Sequence, residues 1–302
     1  MSVMVSIEVF DLESQFGPIE KLFGSYFDAG NKLLSRNYID WLYGRNPFGC
    51  ARMVIARIDS EWIGFMALIP ATLVKRDASM CAYYAVNVLV HPSHHGKNIF
   101  GRMIAAAKEL VVREGSALMG HPNEMALKSW QRAEMHFHTP LMPSLVAPSP
   151  SFGMRSSRVD HPGQLGACCA SLKAQAEDSS KWQLDVSSDY IAWRYLNHPV
   201  NIYSVRRVDV GKNPVGLVIV RRMKVGIHLL LDYFAIKGHE TKVLSACPVF
   251  SVGFQPRQSG TAFRWPNVSL PVKKKIPFFF THYGITLCGN DVRQVGLSLS
   301  DF

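Results

Sequence analysis

No stretch of this 302-residue chain approaches the roughly 20 consecutive apolar residues that a membrane-crossing helix needs. The most apolar segments, Val215–Val220 and Ile227–Phe234, are short, and Arg221, Arg222 and Lys224 separate them. The opening residues lack a basic segment followed by an apolar run, so no secretory signal is expected and the protein reads as cytoplasmic. No CxxC pair occurs among the six cysteines (Cys50, Cys81, Cys168, Cys169, Cys247 and Cys288), and none has zinc-ligand spacing. They are expected to be reduced thiols that behave as small hydrophobes, and no metal site is expected. No long basic run is present either. The net charge of +10 favours anionic partners, but the densest cluster is Lys273-Lys274-Lys275, so nucleic acid is not an expected partner.

What the chain does have is enough apolar sequence, 48%, for a sizeable core, and a length that suggests two domains. It also repeats itself. Tyr38, Ile39, Trp41 and Tyr43 recur as Tyr190, Ile191, Trp193 and Tyr195, 152 positions later, and the same offset relates Pro47 to Pro199 and Gly64 to Gly216. Each copy reads as a helix ending near an aromatic pair, a proline that stops it, and a β-hairpin. Between the copies, Thr139–Pro150 is rich in Pro and Ser and is expected to be an extended linker poor in regular structure. The boundary is placed near residue 148, giving units 1–148 and 149–302.

In the first unit, Val5–Phe10 reads as a strand, Phe16–Leu34 as a helix and Tyr38–Tyr43 as a further helical turn. Met53–Ile58 and Trp62–Ile69 form a hairpin around Asp59-Ser60. Met80–Val90 is a central strand, Lys97–Arg113 a helix with a buried stripe, Ala117–Gly120 a strand, and Glu124–Ala133 a helix after Asn123 as N-cap. This order gives an α/β (α+β) fold with mixed antiparallel and parallel strands flanked by helices.

The most informative stretch is Val86–Ile104, a strand, a sharp polar turn and a helix. A helix start offers unpaired N–H groups and the positive end of the helix dipole, which together hold phosphate or diphosphate. Gly96 lets the backbone approach closely, Asn98 tolerates left-handed geometry, and Lys97 and Arg102 add charge. A strand ending in V-x-P, followed by x-x-R-G-x-G-[IL]-[GAF] at a helix start, is the acetyl-CoA signature of the GNAT (GCN5-related N-acetyltransferase) superfamily. His95, Gly96, Lys97, Asn98, Ile99 and Phe100 resemble its final six positions, with His95 in place of Arg or Gln and Asn98 in place of Gly. The segment from His121 to Trp130 resembles the family's N-x-x-A-x-x-x-Y, with Asn123 and Ala126 in register and Trp130 where many members have Tyr.

The resemblance implies two GNAT-like units, the second degenerate, and an acyl-CoA-dependent N-acyltransferase using acetyl-CoA. It implies a cofactor site at Leu89, Val90, His95, Gly96, Lys97, Asn98, Ile99, Phe100, Gly101, Asn123 and Trp130. The acyl group would pass to a primary amine of a small acceptor such as an amino sugar or amino-acid derivative. A neutral amine requires a base. The strand position that is often acidic in relatives is Asn87, which cannot take a proton. His121 and His91 are the candidate substitutes, with Glu124, Tyr83 and Tyr84 behind them. In the second unit no Gly-Lys-Asn loop follows the apolar strand. Asp232 could meet an acceptor amine there, and the basic, aromatic stretches Phe254–Trp265 and Lys273–Phe280 could form a hairpin surface. Two alternatives remain, a non-catalytic acyl-CoA-binding protein and a transferase using aminoacyl-tRNA.

Overall fold

The structure is a computed structural model that describes residues 5–11, 16–146, 153–177, 181–223, 226–248, 251–256, 267–269 and 276–282. The chain begins with strand β1 (Val5–Asp11) and helix α1 (Phe16–Gly24). The helix expected to run to Leu34 stops at Gly24. A separate 3-10 turn at Lys32–Leu34 follows, capped by Asn31, whose side chain accepts from the Leu33 N–H at 2.9 Å. Helix α2 (Arg36–Ile39) runs on into a π-turn, Asp40–Gly44. Strands β2 (Arg52–Ile58), β3 (Glu61–Lys75) and β4 (Ala78–Val90) form an antiparallel meander. Helix α3 (Ile99–Arg113), strand β5 (Ala117–Gly120) and helix α4 (Glu124–Arg132) complete the expected order. No helix among the described residues is long and apolar enough to cross a membrane.

Strand β6 (Phe137–Val146) corrects the expectation of an irregular linker. Its prolines suit an extended backbone, and the missing Pro140 donor falls where the pairing register shifts, between Leu141 and His138. The proposed boundary at 148 lies outside the described residues.

The second half repeats the first with the spacing found in the sequence. Strand β7 (Met154–Arg158), helix α5 (Gly166–Glu177) and the short strand β8 (Gln183–Leu184) come first. Helix α6 (Ser188–Ile191), the π-turn Ala192–Leu196, and strands β9 (Ser204–Val210) and β10 (Asn213–Arg222) then follow. Counterparts α2 and α6, the two π-turns, β2 and β9, and the starts of β3 and β10 all stand 152 residues apart. Even the turn residues correspond: Asp59 and Gly211 both have positive φ, 50° and 63°. Strand β11 (His228–Ala235), helix α7 (Glu240–Ser245) and strands β12 (Ser251–Pro256), β13 (Asn267–Ser269) and β14 (Ile276–His282) end the described chain.

The fourteen strands among the described residues belong to one sheet, with main order β1-β2-β3-β4-β5-β14-β6-β12-β11-β10-β9-β7. Parts of the stretches read as a hairpin surface are therefore interior: β14 lies between β5 and β6, and β12 joins β6 to β11. The rest of those stretches lies outside the described residues.

The two halves meet around their repeated tryptophans. The Trp41 and Trp193 rings stack at 5.2 Å, and each indole N–H donates to the other residue's carbonyl at 2.9 Å. A reciprocal pair of this kind is what a local two-fold relation between similar units produces. The same symmetry recurs in the loops. Asn46 Oδ1 accepts from the Phe48 N–H at 3.0 Å, and His198 Nδ1 accepts from the Val200 N–H at 3.1 Å. Gly64 and Gly216 are both places where a side chain would collide, with Met103 of α3 in one half and Val243 of α7 in the other. Helices α3 and α7 thus press on equivalent points of their hairpins. Among the described thiols, Cys168, Cys169 and Cys247 are buried, and burial pushes those of Cys168 and Cys247 up to about 12, as expected of inert cysteines, whereas Cys50 and Cys81 are exposed and depart from that expectation.

Candidate active site

Strands β4 and β5 are parallel and pair only from Ala82/Ala117 to Tyr84/Met119. Beyond this point β4 continues to Val90 while β5 stops at Gly120, so the two strands part. Along the free stretch β4 carries a bulge: Ala67 faces Val86 but Phe65 faces Leu89, leaving one extra residue on β4. Asn87 sits there with φ 51°, and its Nδ2 donates to the Tyr43 hydroxyl at 2.8 Å. Bulges of this kind take main-chain groups out of the ladder and re-aim the strand. Tyr84, Leu89 and Met119 pack on the side of α1 and the second unit, whereas Tyr83 and Leu118 pack against α3.

The turn after β4 changes its hydrogen bonding part-way along. His91 caps a 3-10 turn, Pro92–His94, and its Nδ1 lies 2.7 Å from the Ser93 hydroxyl. The His94 and His95 N–H groups are consumed by the His91 and Pro92 carbonyls. From Gly96 the pattern changes. Gly96 (φ 77°) and Asn98 (φ 55°, the helix N-cap) are both left-handed, turning successive N–H groups to the outside. None of the six main-chain N–H groups from Gly96 to Gly101 meets an acceptor among the described residues, and the first bond of the helix is Arg102 to Asn98, 3.2 Å. A side chain at Gly101 would collide with Asn98 Oδ1 unless that carboxamide shifts. Lys97 lies over the turn with Nζ 3.3 Å from His94 Nδ1. Ile99 and the half-buried Phe100 anchor the helix start in the core.

Other sequence-predicted residues have different surroundings. Arg102 is directed to β1, where it donates to the Val5 carbonyl at 2.7 Å. Trp130 is only 2% exposed and packs edge-on against Phe100 at 5.7 Å, so it presents no open face to a ligand. Asn123 caps α4, accepting from the Ala126 N–H at 2.9 Å. His121 lies just past β5, hydrogen bonded through Nδ1 to the Tyr84 hydroxyl. Burial lowers its imidazole to about 3, so it is neutral near pH 7 and a weak base. Burial likewise raises Tyr84 well above its ordinary value, with Tyr190 and Asp232 adding to the rise and Arg194 opposing it.

Two features escaped the sequence reading. Arg194, fully buried, lies beside the rings of Trp41, Tyr195 and Tyr203 at 5.4–6.0 Å, and no local pattern marks a core arginine. Tyr26, just past α1, donates to the Val90 carbonyl and lies 2.7 Å from His95 Nε2, a contact between residues 69 positions apart. Asp232, noted from the sequence, is 6% exposed and accepts from the Tyr195 hydroxyl. Pairing of Gly64 with Val90 and of Gly216 with Ala235 makes Asp232 the counterpart of Asn87, and Tyr195 the counterpart of Tyr43.

No protein-family model and no curated protein matches the chain by sequence. Solved structures do match. A GCN5-related N-acetyltransferase from Anabaena variabilis ATCC 29413 superposes with TM-score 0.65 at 10% identity, over 91% of this chain and 72% of its own. The fold is GNAT-like. A conserved protein of unknown function from Enterococcus faecalis V583 is similar with TM-score 0.68 at 8% identity, over 92% of this chain and 73% of its own. A tandem GNAT protein from the clavulanic acid biosynthesis pathway matches over 94% of this chain and all of its own length, with TM-score 0.56 and 10% identity. At these identities the GNAT likeness is one of fold, and function has to be argued from the site.

Proposed function

We propose that the protein is an acyl-CoA-dependent N-acyltransferase that moves an acyl group, acetyl in the simplest case, from coenzyme A to a primary amine of a small acceptor such as an amino sugar or amino-acid derivative. The observation that carries this reading is the run of six N–H groups, Gly96 to Gly101, that meet no acceptor among the described residues, at the mouth of a 15-residue helix beside the open edge of β4. Those residues fit a diphosphate, because aligned amides and the helix dipole stabilise negative charge without a metal or a cationic side chain. The free edge of β4 fits an extended, amide-bearing arm, which can pair with it as an added strand would.

Bound acyl-CoA would supply a thioester whose acyl carbon is open to an amine. The chain's own part is to hold that group in the gap between β4 and β5 and to offer main-chain donors from the bulge at Asn87 to the carbonyl oxygen as charge develops on it. Asn87 orients through Tyr43 and takes no proton. The amine therefore loses its proton to water or to the acceptor's own surroundings, with His121 and Tyr84 serving as neutral hydrogen-bonding groups.

Two observations favour a second reading, acyl-CoA binding without turnover: burial leaves the His121 imidazole too weak a base, and Trp130 is sealed in the core. Thiol release from acetyl-CoA across a panel of amino sugars and amino-acid derivatives separates the two. Turnover with at least one amine supports the transferase. Coenzyme A binding with no amine-dependent thiol release supports the binding protein.

A further inference from the structure

Main-chain groups of an antiparallel strand alternate between its two edges. The His91 N–H donates to the Ile63 carbonyl at 2.7 Å, and Gly64 faces Val90. Residue 91 therefore points to β3, and the N–H and C=O of Val90 point the other way, into the gap that opens where β5 ends. The Val90 carbonyl is thus the last acceptor on the edge that an extended ligand would use. It is already occupied. The Tyr26 hydroxyl donates to it, and His95 Nε2 lies 2.8 Å from it. A carbonyl oxygen has two lone pairs; the Tyr26 hydroxyl engages one, and the Nε2–H tautomer of His95 engages the other.

The two side chains that fill it are built to leave. Tyr26 follows the end of α1 and is 38% exposed, and His95 is exposed in the turn. Neither is locked in the core, so each can swing away by side-chain rotation alone. The second unit shows the contrasting arrangement at the equivalent carbonyl. Ala235 O accepts from Gln175 Nε2 at 3.3 Å, while the same carboxamide's oxygen accepts from the Lys237 N–H. There the plug is fastened at both ends and also closes the turn.

We propose that Tyr26 and His95 form a clasp over the Val90 carbonyl that must open before the amide-bearing arm of acyl-CoA can pair with β4, which makes Tyr26 a positioning residue controlling cofactor loading. This rests on the reading of the loop as an acyl-CoA site. Two probes separate the groove from the loop: coenzyme A engages both, and inorganic pyrophosphate engages the loop alone. Each is titrated calorimetrically into the wild-type chain and into Tyr26→Phe, with thermal unfolding as the check that the variant folds. Loss of one competing hydrogen bond should tighten coenzyme A by about three- to tenfold and leave pyrophosphate unchanged. Unchanged or weaker coenzyme A binding overturns the clasp, as does an equal change for both probes, which would mean that Tyr26 acts through the loop. No coenzyme A binding by the wild-type chain would overturn the cofactor reading itself, and the clasp with it.

Discussion

After β4 and after β11 the chain makes the same move, from a strand through a turn into a helix, and arrives with opposite hydrogen-bond balances. In the first unit the connection is residues 91–98 and leads to a 15-residue helix. Its last three N–H groups, at Gly96, Lys97 and Asn98, meet no acceptor among the described residues. In the second unit the connection is residues 236–239 and leads to a helix of 6 residues. There Lys237 donates to Gln175, Gly238 to Glu240 Oε2 at 2.8 Å, and His239 to the Ile236 carbonyl at 2.9 Å. A carboxylate of the chain itself sits where the first turn offers donors to an outside anion. One architecture used twice therefore yields one turn open to a ligand and one closed upon itself. The difference lies in turn length and in two side chains, Gln175 and Glu240, rather than in the fold.

The comparison can be broken where the halves are most alike. Trp41→Ala or Trp193→Ala removes a buried, stacked indole together with a reciprocal bond and should each cost about 3–5 kcal/mol in urea unfolding. The double variant should fall short of the sum by about 0.5–3 kcal/mol, since each loss already breaks the other's bond. Full additivity would mean that the halves do not lean on each other there.

The next effect belongs to His121. Its folded-state value, about 3, lies below the ordinary value of 6.5, so as pH falls the unfolded chain takes the proton first. Stability should therefore decline by about 1.4 kcal/mol per pH unit between those two values. Unfolding measured from pH 7 to pH 4 checks this, and His121→Gln should flatten that part of the profile.

Smaller and more local is Gly96→Val. At φ 77° a β-branched residue is strained by about 1–2 kcal/mol, and the turn should yield. Coenzyme A affinity is expected to fall by about tenfold or more. Gly238→Val, at φ 85°, carries similar strain and should leave coenzyme A binding untouched. The smallest effect is that of Glu240→Ala, no more than about 1 kcal/mol of stability, because water can replace the carboxylate at the exposed Gly238 N–H.

Much of this was legible in the chain because it rests on local chemistry. The repeat could be read because stacked aromatics and a capped turn demand particular residue types at fixed spacing. The turn after β4 could be read because left-handed backbone favours Gly or Asn, and Gly96 and Asn98 are both left-handed. What stayed hidden depends on distant pairing. Nothing local to residues 276–282 says that they fit between β5 and β6. Tyr26 is an unremarkable exposed tyrosine until folding brings it to Val90. Trp130 matched a motif position, but its bulk is spent on packing against Phe100.

Hydrogen–deuterium exchange with and without coenzyme A bears most directly on the contrast between the two turns. Slowed exchange at amides 96–101 and along the free edge of β4, with residues 237–242 unaffected, is the expected result. Slowing at 237–242, or coenzyme A binding that leaves 96–101 unchanged, would contradict it.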